Sequence, residues 1–113
     1  MEKSIPEGLA ENKKTMIEAG LDYEKIVAFR RNIHENAEGG FKEYKTRETI
    51  RSHLLEFGIE PENIKEIATT GLIADICGTG PEVPTDESFI NTIALRTELD
   101  ALPMKEENPH LPY

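Results

Sequence analysis

The 113-residue sequence predicts an α/β fold of about three helices followed by two or three strands. Three observations predict it. Apolar residues recur at helical spacing in the first half, as Ile26, Phe29 and Ile33 and again as Ile50, Leu54 and Phe57. In the second half apolar residues alternate with a period of two, first from Leu72 to Cys77 and again from Phe89 to Asp100. Glycine and proline punctuate the joins, at Gly20, Gly58, Pro61, Gly71 and Gly80-Pro81.

Residues 1–8 read as a lead-in, and Leu9 to Ala19 as a polar surface helix closed by Gly20 at C′. Asp22 is placed to cap a second helix from Tyr23 to about Asn36. Arg30, Arg31 and His34 fall in its last turns, where positive charge suits the helix dipole. His34 has two readings there, a functional residue or, more commonly, a helix-end histidine bonding a carbonyl or nearby carboxylate. Gly39-Gly40 marks a turn that tucks Phe41 against the core. The third helix spans Glu43 to Phe57, with His53 beside its apolar stripe. Gly58 ends it, and Ile59 is placed for the hydrophobic contact of a Schellman motif.

Pro61-Glu62-Asn63 is a turn, Ile64 to Ala68 a short strand, and Leu72 to Cys77 a longer one. Cys77 has no basic neighbour in sequence to activate it and reads as a packed thiol. After a polar loop, the stretch from Phe89 returns as the strand that organises the chain. Ile93, Leu95, Thr97 and Leu99 share one face; Ala94, Arg96, Glu98 and Asp100 share the other. It is expected to pair antiparallel with Leu72–Cys77 and to stop before Pro103, which cannot donate to a ladder. A carboxylate at the C-terminal end of a strand is a common place for chemistry in α/β proteins. A charged strand face is still more often a solvated face or an edge.

Composition narrows the function classes. Hydrophobic residues are 37% of the chain and charged residues 31%. Mean hydropathy is -0.51, polar for a self-sufficient domain. The net charge of -9 opposes nucleic acid and anionic membrane partners alike. One cysteine permits no internal disulfide and fits a reducing, cytoplasmic setting. No signal, transit or membrane-spanning stretch is expected.

The chemistry carried by the residues themselves is thin. No serine sits in a strained elbow, and Gly78-Thr79-Gly80-Pro81 lacks the spacing and lysine of a P-loop. His34, His53 and His110 are far apart in sequence and form no zinc-ligand pattern. Glu98 and Asp100 supply oxygen atoms but have no evident metal-ligating companions in the chain.

The order of three stretches resembles the N-terminal part of the zinc-dependent N-acyl amino acid amidohydrolases, the hippurate hydrolase and auxin–amino acid conjugate hydrolase type, relatives of aminoacylase. The first is Arg30-Arg31-Asn32-Ile33-His34 with Glu38-Gly39-Gly40-Phe41-Lys42-Glu43-Tyr44-Lys45-Thr46. The second is Thr70-Gly71-Leu72-Ile73-Ala74-Asp75-Ile76, and the third runs from Ile93 to Pro103 and on to Pro112-Tyr113. Ala37 stands where the family usually has Pro. Glu98 stands where it usually has Asp, and its carboxylate reaches about 1.5 Å further.

The resemblance implies a di-zinc aminopeptidase/aminoacylase-like catalytic domain, incomplete here over residues 22–113, behind a lead-in and surface helix over residues 1–21. It implies hydrolysis of an N-acyl amino acid by metal-activated water and a general-base Glu. It places the metal-binding His-x-Cys-Gly-His-Asp segment after Pro-Tyr, outside these residues, so that no metal is bound by this chain and zinc or manganese belongs to the full-length enzyme. Asp100 is the one catalytic-site residue it carries over, in a supporting role, with Arg96 and Glu98 as structural partners. The expected function is therefore the N-terminal segment of an amidohydrolase, inactive alone. The alternatives are a non-catalytic binding or regulatory module derived from such an enzyme, and an unrelated acidic α/β domain.

Overall fold

The computed structural model describes residues 7–80, 92–105, 107, 108 and 110. The chain forms two compact units. One contains helices α1 (Glu7–Glu18) and α2 (Tyr23–Glu35). The other, Asn36–Met104, contains α3 (Tyr44–Glu56), a 3₁₀ turn at Pro61–Asn63, and strands β1 (Ile64–Ile67) and β2 (Gly71–Ala74). Three helices followed by a two-stranded antiparallel sheet make this the α/β class expected.

Local chemistry accounts for the helix ends. The Gly20 N–H donates to the Ile17 carbonyl and the Leu21 N–H to that of Met16, with Gly20 at φ 82°. The same pair of bonds closes α3, from Gly58 (φ 89°) to Leu55 and from Ile59 to Leu54. Both are Schellman closures, and in both the left-handed residue is the one without a Cβ. Asp22 caps α2 by accepting the Lys25 N–H at 3.1 Å. Between α1 and α2, Lys13 pairs with Glu24 at 3.0 Å and lies 4.6 Å from the centre of the Tyr23 ring. Ile33 is the buried residue of α2, as its stripe predicts.

In the second unit α3 packs on the hairpin. Ile64 pairs with Ala74, Lys65 with Ile73, Glu66 with Leu72 and Ile67 with Gly71. Ile64 is buried and Leu72 and Ala74 are half-buried, whereas Lys65, Ile67 and Ile73 are exposed. One face of the sheet is thus covered and the other open, as the alternation requires. Lys65 and Asp75 close the open face with a 2.7 Å ion pair.

Five expectations are corrected. The strand expected to reach Cys77 stops at Ala74, because its partner begins at Ile64 and is preceded by the 3₁₀ turn. The Asp75 N–H still finds the Asn63 carbonyl at 2.9 Å; Ile76 and Cys77 lie beyond the β1 ladder and are exposed, so Cys77 is not a packed thiol. The organising strand does not form over its described part. Residues 92–104 contain no strand, and Ile93 and Leu95 are 90% and 93% exposed. Phe89, Ile90 and Asn91 lie outside the described residues. A strand has no internal hydrogen bonds, so alternation makes one only where a second strand supplies the ladder. Phe41 is exposed rather than tucked in, because its backbone turns left-handed at φ 58°. Phe57, the last member of the α3 stripe, is also exposed: it occupies the C-cap, where the helix has already ended.

Gly71 is held by contact rather than by φ. A Cβ there would sit 2.9 Å from the Ile67 carbonyl oxygen and 3.3 Å from the Ile67 Cγ2. Gly71→Ala is expected to lower stability by about 1–3 kcal/mol in urea unfolding, since the obstacle is backbone. Gly39→Ala, with open space around the added methyl, is expected to be neutral or to stabilise by less than about 1 kcal/mol.

Candidate functional site

The first two signature stretches meet at the start of α3. Glu38, upstream of the helix, accepts the Lys45 N–H at 3.1 Å and the Thr46 N–H at 2.7 Å. Its Oε1 also accepts the Thr46 hydroxyl at 2.9 Å. These are two of the amide groups that a helix N-terminus leaves without intrahelical partners. A negative carboxylate is favourable there twice, as acceptor and as counter-charge to the helix dipole. Thr46 is buried as a result.

Glu43 occupies the N-cap position of α3 but makes no capping bond. Its carboxylate is directed elsewhere. Oε1 accepts the Phe41 N–H at 3.1 Å and Oε2 accepts the Thr70 hydroxyl at 2.8 Å. Arg47, one turn on, reaches the same hairpin. Its Nη1 donates to Glu66 and to the Thr69 carbonyl, each at 3.1 Å, and its other nitrogens engage Glu48. Arg47 is the least exposed partner in these ion pairs. The helix N-terminus therefore holds the hairpin tip by two polar side chains.

The charges respond to these contacts. At Glu38, partial desolvation works to raise the carboxyl pKa. The Thr46 and Lys45 amides, the Thr46 hydroxyl and the Lys45 charge outweigh it and hold the group below the ordinary range. At Glu43 the Thr70 hydroxyl is the main cause of lowering, helped by its own and the Phe41 backbone N–H; desolvation and the Glu38 charge oppose it. Lys65 is raised by its hydrogen bond and charge pairing with Asp75.

The third stretch carries the sequence-predicted site. Arg96 and Glu98 pair at 2.7 Å, as residues two apart on one side of an extended chain should. Asp100 follows them and is exposed. His34 is exposed on α2, and His53 is half-buried beside Glu56 (3.4 Å) and the Phe57 ring (centres 6.3 Å apart). Among the described residues, no three His, Cys, Asp or Glu side chains are placed to hold a metal ion. The described chain therefore does not by itself fit the metal centre that the amidohydrolase resemblance implies. The residues with the densest contacts, Glu38, Glu43, Arg47 and Thr70, are not ones that spacing rules single out. Glu38 caps from outside the usual capping box, and Glu43 sits at an N-cap while serving the hairpin.

Known proteins resemble this chain over most of its length. The N-acetyldiaminopimelate deacetylase of Oenococcus oeni is 36% identical over 89 residues, which is 77% of this chain and 21% of that protein. The IAA-amino acid hydrolase ILR1-like 2 of Arabidopsis thaliana is 42% identical over 84 residues, 74% of this chain and 17% of that protein. A protein of Rhodococcus jostii named putative glutamate--cysteine ligase 2-3 is 42% identical over 86 residues, 76% of this chain but 10% of its own length. No family model matches, and no solved structure matches. Over about three quarters of its length, this chain is related to the amidohydrolases. It spans between a tenth and about a fifth of the length of the curated relatives it matches.

Stability is expected to follow the Glu38 cap. A carboxyl whose folded pKa is lowered stabilises the fold above its unfolded value of about 4.5, and that contribution is lost as pH falls through the folded value. Glu38→Ala should cost about 0.5–2 kcal/mol at pH 7, the usual value of a cap. Urea melts of the variant should also show a shallower loss of stability below pH 4.5 than those of the parent.

Proposed function

We propose that this chain is a segment of a metal-dependent amidohydrolase that cleaves N-acyl amino acids, and that it has no activity alone. Its identity to an N-acetyldiaminopimelate deacetylase and to IAA-amino acid hydrolases, over about three quarters of the chain, supports the reading. The substrate class is a small molecule with an acyl-amide bond, taken from the names of those relatives. Zinc or manganese is supplied by ligands outside the chain. A cytoplasmic setting belongs to the same proposal. No helix among the described residues is long and apolar enough to cross a membrane.

Within this reading Asp100 is the supporting carboxylate at the site. Arg96 neutralises Glu98 and leaves Asp100 as the carboxylate of this stretch that is available to a ligand group. Losing a carboxylate that orients a metal ligand by hydrogen bonding typically costs about 10–100-fold in metal affinity or activity.

Two measurements test the proposal. The purified chain with added zinc or manganese is expected to release no amino acid from N-acetyl amino acids, and metal-dependent turnover would refute inactivity. In a chimera, residues 23–113 replace the matching segment of an N-acetyldiaminopimelate deacetylase; hydrolysis should be retained. Asp100→Asn should then lower kcat by about 10–100-fold with little change in KM, while Glu98→Gln has a smaller effect. A folded, metal-loaded chimera with no activity would replace this reading with that of a binding module.

A further inference from the structure

Among the described residues, three that are not glycine have left-handed backbones: Phe41 at φ 58°, Ala68 at 49° and Thr69 at 71°. None is the asparagine or aspartate that tolerates this region best. They lie in two separate turns. Phe41 precedes α3, and Ala68-Thr69 forms the tip between β1 and β2, where the Thr70 N–H folds back to the Ala68 carbonyl at 2.8 Å. Such conformations persist only where their surroundings over-determine them.

One side chain touches both turns. Glu43 takes the Phe41 N–H on one oxygen and the Thr70 hydroxyl on the other, across a separation of 27 residues from Glu43 to Thr70. We propose that Glu43 is a single-carboxylate clasp that holds the pre-helix turn and the hairpin tip in their left-handed forms together, so that neutralising it loosens both as one event. The carboxylate is the strong form of the clasp, because hydrogen bonds to an ionised acceptor are roughly twice as strong as neutral ones. A neutral acid keeps only one pure acceptor.

The surrounding charges leave this role to Glu43. From the turn, Glu38 opposes its ionisation but is itself occupied by Thr46 and Lys45. From α3, Arg47 is engaged by Glu48, Glu66 and the Thr69 carbonyl. Lys45 acts on Glu38, and Glu66 of β1 faces Arg47. Among the described residues no ion pair joins Glu43 to a cation, so its contacts are hydrogen bonds that depend on its own charge.

The test is a pH titration of the full chain by NMR. It follows the Glu43 carboxyl carbon together with the amide signals of Phe41 and of Ala68, Thr69 and Thr70. Both turns should move with one midpoint, that of Glu43, lying below the ordinary glutamate value; Glu38→Gln should leave this common step in place. Glu43→Gln should abolish the step and speed amide exchange in both turns by about tenfold, the loss of one charge-assisted bond. Separate midpoints for the two turns would overturn the clasp, as would turn signals in Glu43→Gln that stay at parental positions and exchange rates. If Glu43→Gln fails to fold, the midpoints in the parent and in Glu38→Gln decide alone.

Discussion

Two carboxylates at the start of α3 are the constraint on which the second unit depends. Glu38 satisfies helix amides that would otherwise lack partners, and Glu43 ties the turn before the helix to the hairpin tip. A two-stranded hairpin is marginal in water without something to pack on. Here that support is α3. The hairpin is fixed against it by the burial of Ile64 and by the polar grip of Glu43 and Arg47 on residues 66–70. With hydrophobic burial this sparse, the hydrogen-bonded contacts carry an unusual share of the specificity. They place Thr70-Gly71 at one position relative to the helix, and Gly71 leaves no room for a side chain against Ile67.

The same residues explain why the signatures take the form they do. The stretch from Glu38 to Thr46 has the spacing of a cap and its client, with Glu43 between them facing the other way. The stretch from Thr70 supplies the hydroxyl that Glu43 needs and the glycine that the β1–β2 turn needs. Two motifs separate in sequence are thus one physical contact. They are scaffold, whereas the acidic residue proposed to act in chemistry, Asp100, lies on the third.

The relationship to amidohydrolases rests on identity over a segment, and the names of the relatives differ. A deacetylase, IAA-amino acid hydrolases and a protein named as a carboxypeptidase share it, and a protein called a ligase matches over only a tenth of its length.

Helix existence and helix ends were legible in the sequence. Gly20, Gly58 and Asp22 act through local backbone geometry, which needs only the residues within a turn, and Ile33 follows from helical period. The alternation of Leu72, Ile73 and Ala74 divided β2 into two faces, of which the structure covers that of Leu72 and Ala74. That Arg96 and Glu98 share one side was also legible, since side chains two apart on an extended chain fall together; their ion pair came from the structure. Strand extent was not. Alternation continues through Cys77 and reappears at Ile93, yet β2 ends where β1 offers no further partner and residues 92–104 form no strand. The exposure of Phe41, the reach of Glu38 to Thr46 and the bridge from Glu43 to Thr70 were likewise decided by tertiary structure alone. The physical reason is common to all: a helix satisfies its own hydrogen bonds, whereas a strand, a distant cap and a clasp exist only when folding brings a second piece of chain to meet them.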